Sequence, residues 1–107
     1  MVLKQYQIVL VNLDPTIGSE MKKTRPCVII SPDEINRHLQ SVVIAPMTST
    51  SKPYPTRVLV KHNKQKGWVV LDQIRTIDRR RVIKVFDSLT EKEINNVKAT
   101  IQETYVD

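Results

Sequence analysis

The sequence predicts a mainly β domain of the α+β class, in which a small antiparallel, barrel-like sheet carries one short helix and one C-terminal amphipathic helix. Three observations lead to this prediction. Short apolar runs alternate with proline, glycine and other turn residues, as the strands of a small sheet do. Only the C-terminal segment shows a long helical spacing of apolar side chains. The 107 residues, 40% of them hydrophobic, suffice for one core, so we expect a single domain over 1–107.

Five or six strands are expected, each a short apolar run between turn residues: 6–13, 26–30, 42–45, 57–60, 68–74 and 82–86. The first of them is apolar enough to be buried on both faces. Pro26 is expected to begin the second strand and Pro46 to end the third, because proline donates nothing to a sheet ladder. The polar segment 62–67 is expected to be a turn, and the basic segment 75–81 a connector without regular structure.

Capping signals predict the two helices. The serine, proline, aspartate and glutamate at 31–34 suggest a helix of about two turns ending near residue 38, with Ser31 as its N-cap. Thr90 and Glu93 are spaced as a capping box at the start of a longer helix over about 91–105. Apolar side chains then recur on one face of that helix, which predicts that it packs on the sheet.

Composition points to a polyanionic partner without proving one. The net charge of +6 and the isoelectric point near 9.7 favour nucleic acid, but scattered surface lysines would give the same numbers. The clusters at 22–25 and 75–81 should decide between the two. No apolar run is long enough to span a membrane and no signal peptide is expected. Cys27 has no partner for an intramolecular disulfide, so the cytoplasm is the expected compartment.

Motifs for metal, nucleotide or thiol chemistry are absent from the sequence. It contains no glycine-rich phosphate loop, no CxxC, no HExxH and no carboxylates at metal-ligand spacing, so we expect no metal and no cofactor. His38 and His62 both sit in polar segments and are expected to be surface histidines. Tyr54, between two prolines, is the one aromatic residue in a plausible base-stacking loop.

A few polar residues at predicted strand ends could bind an anion. Arg25 directly precedes an apolar strand, and its planar, permanently charged guanidinium suits a phosphate. The hydroxyls of 48–50 follow another strand and could donate to the same phosphate. On spacing alone, a solvent-facing strand-edge charge is the favoured explanation of Arg25, and an ordinary turn residue that of Thr48. The residues alone therefore indicate a basic β domain that binds nucleic acid, and do not establish catalysis.

Four motifs in order resemble the MazF/PemK family of toxin endoribonucleases. They are VLVNLDP at 9–15 followed by GSE at 18–20, TRP at 24–26, APMTS at 45–49 and LDQIRTID at 71–78. The resemblance implies an SH3-like barrel, a homodimer and metal-independent cleavage of single-stranded RNA at short sequences. It also implies a MazE-like antitoxin whose acidic, largely disordered tail occupies the RNA groove.

The resemblance also assigns residues. Arg25 and Thr48 match the catalytic pair of the family, and the positions that match its RNA groove are Ser19, Glu20, Ser49, Gln73 and Arg75. Asp72 falls where some members carry a functional acid and is a possible accessory acid. Those members have an arginine two residues earlier, where this chain has Val70.

The mechanism that the resemblance implies is attack of the ribose 2′-OH on the adjacent phosphorus, which gives 2′,3′-cyclic phosphate and 5′-OH ends. A guanidinium is a poor base, so Glu20 is a physically easier candidate, although it could equally pair with a neighbouring lysine. Two other functions are compatible with the sequence. One is a non-catalytic toxin of the same fold that poisons a protein such as gyrase, and the other is an RNA-binding module without turnover.

Overall fold

The computed structural model of the protein describes residues 1–14 and 23–106. In these residues the strands follow one another closely along the chain. In these two ranges the regular elements are β1 Gln7–Asn12, β2 Thr24–Ile29, α1 Asp33–His38, β3 Ser41–Thr48, β4 Arg57–His62, β5 Gln65–Val70, β6 Arg75–Asp78, β7 Val82–Ser88 and α2 Glu91–Ile101. Single helical turns cover Leu71–Gln73, Arg79–Arg81 and Gln102–Val106.

The seven strands of the described residues form one antiparallel sheet that curls into a half-barrel. The order is β4-β5-β3-β2-β1-β7, and β6 pairs with the first half of β3. The strand β3 therefore connects the sheet, because it pairs with β6, β2 and β5 in turn along its length. This architecture, with its C-terminal helix, confirms the predicted fold class.

Side chains of the inner strands alternate between two cores, one on each face of the sheet. Val9, Cys27 and Ile44 belong to the first core, whereas Ile8 and Val28 belong to the second. The second core lies under α2, whose Val97 is fully buried. Burial on both faces explains why the first strand reads as a continuous apolar run, and it confirms that prediction.

Pro26 and Pro46 lie inside strands, so the expectation that they mark strand ends is wrong. Pro26 is the third residue of β2, and β3 continues through Pro46 to Thr48. The ladder between β2 and β3 begins at Cys27, directly after Pro26, and ends at Pro46. In the β2–β3 ladder the two prolines therefore lie at or just beyond the end, although Pro26 also pairs with Leu10 inside the β1–β2 ladder.

The predicted N-cap role of Ser31 is also wrong, although α1 does end at His38 as predicted. Pro32 occupies the N-cap position, where no side chain caps the helix. The Ser31 hydroxyl donates to Asn36 Oδ1 at 2.5 Å and accepts from the Val43 amide at 3.0 Å. Ser31 is buried, and its hydroxyl is the hydrogen-bond acceptor for the Val43 amide of β3 instead of for an amide of the helix.

The capping box of α2 is confirmed. Thr90 Oγ1 accepts from the Glu93 amide at 3.2 Å, and Glu93 Oε1 accepts from the Thr90 amide at 2.9 Å. The regular helix ends at Ile101, short of the predicted residue 105, and the chain continues as a wider helical turn. That turn brings the hydroxyl of Tyr105 to the carbonyl of Leu71, to which it donates.

The segment 62–78 differs most from its prediction. The strand β5 begins at Gln65, because Asn63 and Lys64 have φ values of 51° and 62° and form a two-residue hairpin loop. Strand β5 ends at Val70. Residues Leu71–Gln73, which belong to the predicted strand 68–74, form a helical turn instead. The predicted connector contains β6, which forms only because the distant Ser41–Ile44 half of β3 is available as its partner.

Candidate active site in a cationic groove

Arg25 and Thr48 are brought together by the register of β2 and β3. The ladder pairs Cys27 with Pro46, and the same register continued by two residues places Arg25 opposite Thr48. Both side chains are half-buried, and both line one groove of about 370 Å³. Arg25 also lies opposite Val11 of β1, so its backbone is held by a neighbouring strand. The pair suggested by the sequence is therefore close in space and rigidly mounted.

The groove is positively charged and lacks carboxylates among the described residues that line it. These are Lys23, Thr24, Arg25, Pro26, Met47, Thr48, Ser49, His62, Gln65, Lys66 and Gly67. Three of them carry a permanent positive charge, and three have hydroxyl groups. A cleft with one sign of charge attracts the opposite charge, so this groove is suited to a polyanion.

Arg75 lies on β6, opposite Ile44 of β3, and is not among the described residues that line the groove. Burial raises the pKa of the Cys27 thiol to about 12, even though the nearby guanidinium groups of Arg75 and Arg25 act in the opposite direction. The thiol is therefore neutral and unreactive under ordinary conditions. Arg75 Nη1 also donates to the carbonyl of Leu13 at 3.4 Å. The buried thiol of Cys27 thus lies in the electrostatic field of both arginines.

The described residues on either side of 15–22 are hydrogen-bonded to each other. The Leu13 amide donates to the carbonyl of Lys23 at 3.0 Å, and the Lys23 amide donates to Asp14 Oδ1 at 2.9 Å. Arg81 Nη1 donates to the carbonyls of Asn12 and Asp14, at 3.2 and 2.5 Å. The predicted groove residues Ser19 and Glu20 fall within 15–22 and lie outside the described residues.

Thr48 is the last residue of β3 and Ser49 follows it, and both line the groove. Thr48 Oγ1 donates to the carbonyl of Thr50 at 3.1 Å and accepts from its amide at 3.3 Å. This local turn orients the Thr48 hydroxyl at the strand end. Ser49 is exposed and lines the groove beside it. Hydroxyl donors therefore stand next to Arg25, as the sequence suggested.

Gln73 and Asp72 lie in the helical turn after β5, and neither lines the groove in the described part of the chain. Gln73 is half-buried. The Asp72 carboxylate accepts hydrogen bonds from Thr56 Oγ1 at 2.9 Å and from Arg57 Nε at 3.3 Å. Partial burial raises the pKa of Asp72, but the hydrogen bonds from Arg57 and Thr56 outweigh it and lower the pKa overall. The possible accessory acid is thus held ionised in an ion pair.

The hairpin between β4 and β5 supplies groove residues that sequence reasoning missed. His62, Gln65 and Lys66 line the groove opposite Arg25. His62 is half-buried, with its ring edge-on to Phe86 at 4.8 Å, so the expectation of a plain surface histidine is confirmed for the exposed His38 only. The apolar alternation at 57–60 was the available signal for a hairpin, but nothing local shows that the hairpin faces β2.

The described residues contain no group of three or more His, Cys, Asp or Glu side chains that could hold a metal ion. No helix in the same part of the chain is long and apolar enough to cross a membrane. The described lining of the groove offers guanidinium, ammonium, hydroxyl and imidazole groups.

Comparison with known proteins gives one consistent result. A family model described as "PemK-like, MazF-like toxin of type II toxin-antitoxin system" matches residues 4–105. The chain is 30% identical over 105 residues to the endoribonuclease MazF of Staphylococcus saprophyticus subsp. saprophyticus, covering 92% of this chain and 88% of the relative. It is 32% identical over 95 residues to the endoribonuclease toxin MazF of Escherichia coli K12, covering 88% and 86%.

Solved structures share the fold. The crystal structure of MazF (Form-I) from Deinococcus radiodurans superposes with a TM-score of 0.88 at 24% identity, over 100% of this chain and 99% of that one. An endoribonuclease in complex with its cognate antitoxin, from a mycobacterial species, superposes with a TM-score of 0.80 at 22% identity, over 94% and 92%.

Proposed function

The chain belongs to the family of PemK-like, MazF-like toxins of type II toxin–antitoxin systems, and from that premise we propose that it is a sequence-specific endoribonuclease that cleaves single-stranded RNA without a metal ion. One observation carries the proposal. Arg25 and Thr48, each two residues beyond the last pair of the β2–β3 ladder, line one cationic groove whose described lining has no carboxylate. Such a groove attracts the negative charge of a phosphodiester backbone.

The proposed reaction is an internal transesterification. The ribose 2′-oxygen forms a bond to the adjacent phosphorus while the bond from phosphorus to the 5′-oxygen breaks. The proton of the 2′-OH goes to a base, and the leaving 5′-oxygen gains a proton. The products are a 2′,3′-cyclic phosphate and a 5′-OH. The nucleophile belongs to the substrate itself, so this step requires no activated water.

Arg25 supplies the fixed charge in this scheme. The phosphorane carries more negative charge on its non-bridging oxygens than the ground state, and a preorganised guanidinium stabilises that difference. The pairing of β2 with β1 fixes the backbone of Arg25, which limits the reorganisation needed in the transition state. Thr48 Oγ1 then donates to a non-bridging oxygen in place of the Thr50 carbonyl.

Arg25 is an unsuitable base, because a guanidinium does not lose its proton in the accessible pH range. Glu20 is the proposed acceptor of the 2′-OH proton, on the strength of its motif alone. The same motif match makes four further residues proposed RNA contacts, namely Ser19, Ser49, Gln73 and Arg75. The groove adds Lys23 and Lys66, which we assign to the phosphates on either side of the cleaved bond.

The same groove suits an acidic peptide. The mycobacterial relative of the same fold was solved in complex with its cognate antitoxin, and a second structural relative is a MazE–MazF complex from D. radiodurans. We propose that a MazE-like antitoxin neutralises this toxin by placing an acidic segment in the groove. We also propose that the toxin acts as a homodimer and that it acts in the cytoplasm. Charge complementarity with Lys23, Arg25 and Lys66 supports the first of these proposals.

Cleavage of an unstructured RNA in excess EDTA, followed by mapping of both new ends, tests the proposal. We expect cuts at a short recurring sequence, with 2′,3′-cyclic phosphate and 5′-OH ends. A substrate with 2′-H at the cut site should stay intact, and cutting there would refute the mechanism. Salt-dependent binding without any product would indicate an RNA-binding module. Toxicity that survives replacement of both Arg25 and Thr48 would indicate a protein target.

A further inference from the structure

The loop 49–56 has to cross a strand. It leaves β3 after Thr48 and enters β4 at Arg57, yet β5 lies between these two strands in the sheet. At its far end the loop meets the turn that follows β5, where the Leu71 amide donates to the carbonyl of Thr56 at 3.1 Å. A crossing loop of this kind needs side-chain contacts to hold one conformation, since it has no ladder of its own.

Arg57 provides most of these contacts. Its Nη1 donates to Ser51 Oγ at 2.7 Å, near the start of the loop. Its Nε and Nη2 face the two oxygens of Asp72 at 3.3 and 3.5 Å. The guanidinium also lies over the ring of Tyr54, 4.9 Å from its centroid. One side chain therefore contacts the beginning and the middle of the loop and the turn after β5.

Asp72 completes the arrangement from the other side. Its Oδ1 accepts from Thr56 Oγ1 at 2.9 Å in addition to Arg57. The Arg57 side chain is only 19% exposed, which favours a persistent pair over a fluctuating surface contact. Arg57 lies directly across the ladder from Val70, the position where some family members have an arginine. In this chain the arginine that meets Asp72 comes from the neighbouring strand.

The pair joins two segments that carry proposed RNA contacts. Ser51 lies two residues after Ser49, a groove residue, and Asp72 directly precedes Gln73. We propose that Arg57 and Asp72 are positioning residues that hold the loop 49–56 against the turn after β5 in the conformation that selects the RNA sequence. Tyr54, 47% exposed on that loop, is thereby presented for stacking on a base. This inference rests on the proposed function, and it assigns Asp72 a positioning role instead of an acid role.

The replacement Asp72→Asn tests the inference, because it removes the charge and keeps the shape. The chain offers a matched control in Asp78→Asn, which changes the same residue type in the other Arg–Asp pair of the described residues, away from the groove. For Asp72→Asn we expect KM for a short cognate RNA to rise about tenfold, the scale of losing one charge-assisted hydrogen bond. The value of kcat should change less than threefold, because Arg25 and Thr48 stay in place.

Two further readouts separate positioning from general stability. The distribution of cut sites on a long RNA should broaden for Asp72→Asn and stay unchanged for Asp78→Asn. Hydrogen exchange at the Leu71 amide should accelerate in the first variant only. Thr56→Val keeps the ion pair and removes one hydrogen bond to Asp72, so it should move all three readouts in the same direction by a smaller factor. It also decides the question if Asp72→Asn does not fold.

Failure of this inference and failure of the proposed function look different. If the wild-type protein cuts RNA and Asp72→Asn matches Asp78→Asn in KM and in cut sites, the positioning role is wrong and the nuclease stands. An equal loss of kcat and kcat/KM with an unchanged KM would also overturn positioning, because it would place Asp72 in the chemical step. A wild-type protein that cuts no RNA under any condition would overturn both.

Discussion

Two basic parts of this molecule, each with three cationic side chains among the described residues, differ in what surrounds their charges. In the turn Arg79–Arg81 the guanidinium groups bind the chain itself. Arg79 donates to the carbonyls of Asn36, Leu39 and Met1, at 2.8, 3.0 and 3.1 Å. Arg80 pairs with Asp78 at 3.0 Å, and Arg81 donates to the carbonyls of Asn12 and Asp14.

The groove around Arg25 is built differently. Its described lining places two lysines beside Arg25 and contains no carboxylate. The difference teaches that net charge identifies a candidate polyanion-binding protein without locating the site. An arginine placed where a helix or strand exposes its last carbonyls contributes to the fold, whereas a groove whose described lining holds three cations and no carboxylate is suited to an anionic ligand. Each arginine of the basic segment 75–81 contacts the chain itself, Arg75 through the carbonyl of Leu13, and none of them is among the described residues that line the groove.

The largest effect should come from the groove. Arg25→Ala is expected to lower the cleavage rate by about 10²–10³-fold, the typical loss when one preorganised group that stabilises a transition-state oxyanion is removed. Single-turnover cleavage of a short cognate RNA measures it, with circular dichroism to confirm the fold. Arg25→Lys serves as control and should recover only part of the rate, since a point charge cannot form the paired contacts of a guanidinium. A rate within a factor of three of wild type for Arg25→Ala would remove Arg25 from the mechanism.

A smaller effect of another kind is expected in the turn. Arg79→Ala leaves three carbonyls without their charged donor and should lower the free energy of unfolding by about 1–3 kcal/mol. Cleavage by the folded protein should not change. Urea unfolding compared with Arg80→Ala, a fully exposed neighbour, measures the difference. Equal unfolding midpoints for the two variants, or a loss of cleavage in Arg79→Ala, would contradict the division between the two regions.

The smallest effect concerns pH. The side chain and amide of Arg80 lower the pKa of Asp78 from 3.8 to about 2. A depressed carboxyl pKa stabilises the folded state above the unfolded pKa, and this contribution is lost as pH falls from 3.8 toward 2. Asp78→Asn should therefore lower the thermal midpoint slightly near pH 7 and flatten its decline as pH falls from 3.8 toward 2. Parallel curves for wild type and Asp78→Asn down to pH 2 would show that the pair contributes nothing.

Most of the structural features that could be predicted depend on residues that are close together in the sequence. The capping box joins Thr90 to Glu93, three positions away, so the start of α2 can be read directly from the sequence. The same holds for the inner strands, whose two-sided burial makes them apolar throughout. The candidate residues Arg25 and Thr48 could be named because each adjoins such a strand and because the family motifs include them. The prediction that they act as a catalytic pair awaits the kinetic test.

What the sequence by itself determined is the set of strands, the capped helix and the family to which the chain belongs. Only the tertiary structure decided how far β3 runs past Pro46, that 75–78 is a strand, and that the hairpin with His62 and Lys66 forms a groove wall. It also decided that Asp72 meets Arg57, which lies 15 positions away in the chain. The physical reason is the range of the interactions. Caps and turns are completed within a few residues, whereas ladders, groove walls and ion pairs of this kind form only after distant strands have taken their places in the sheet.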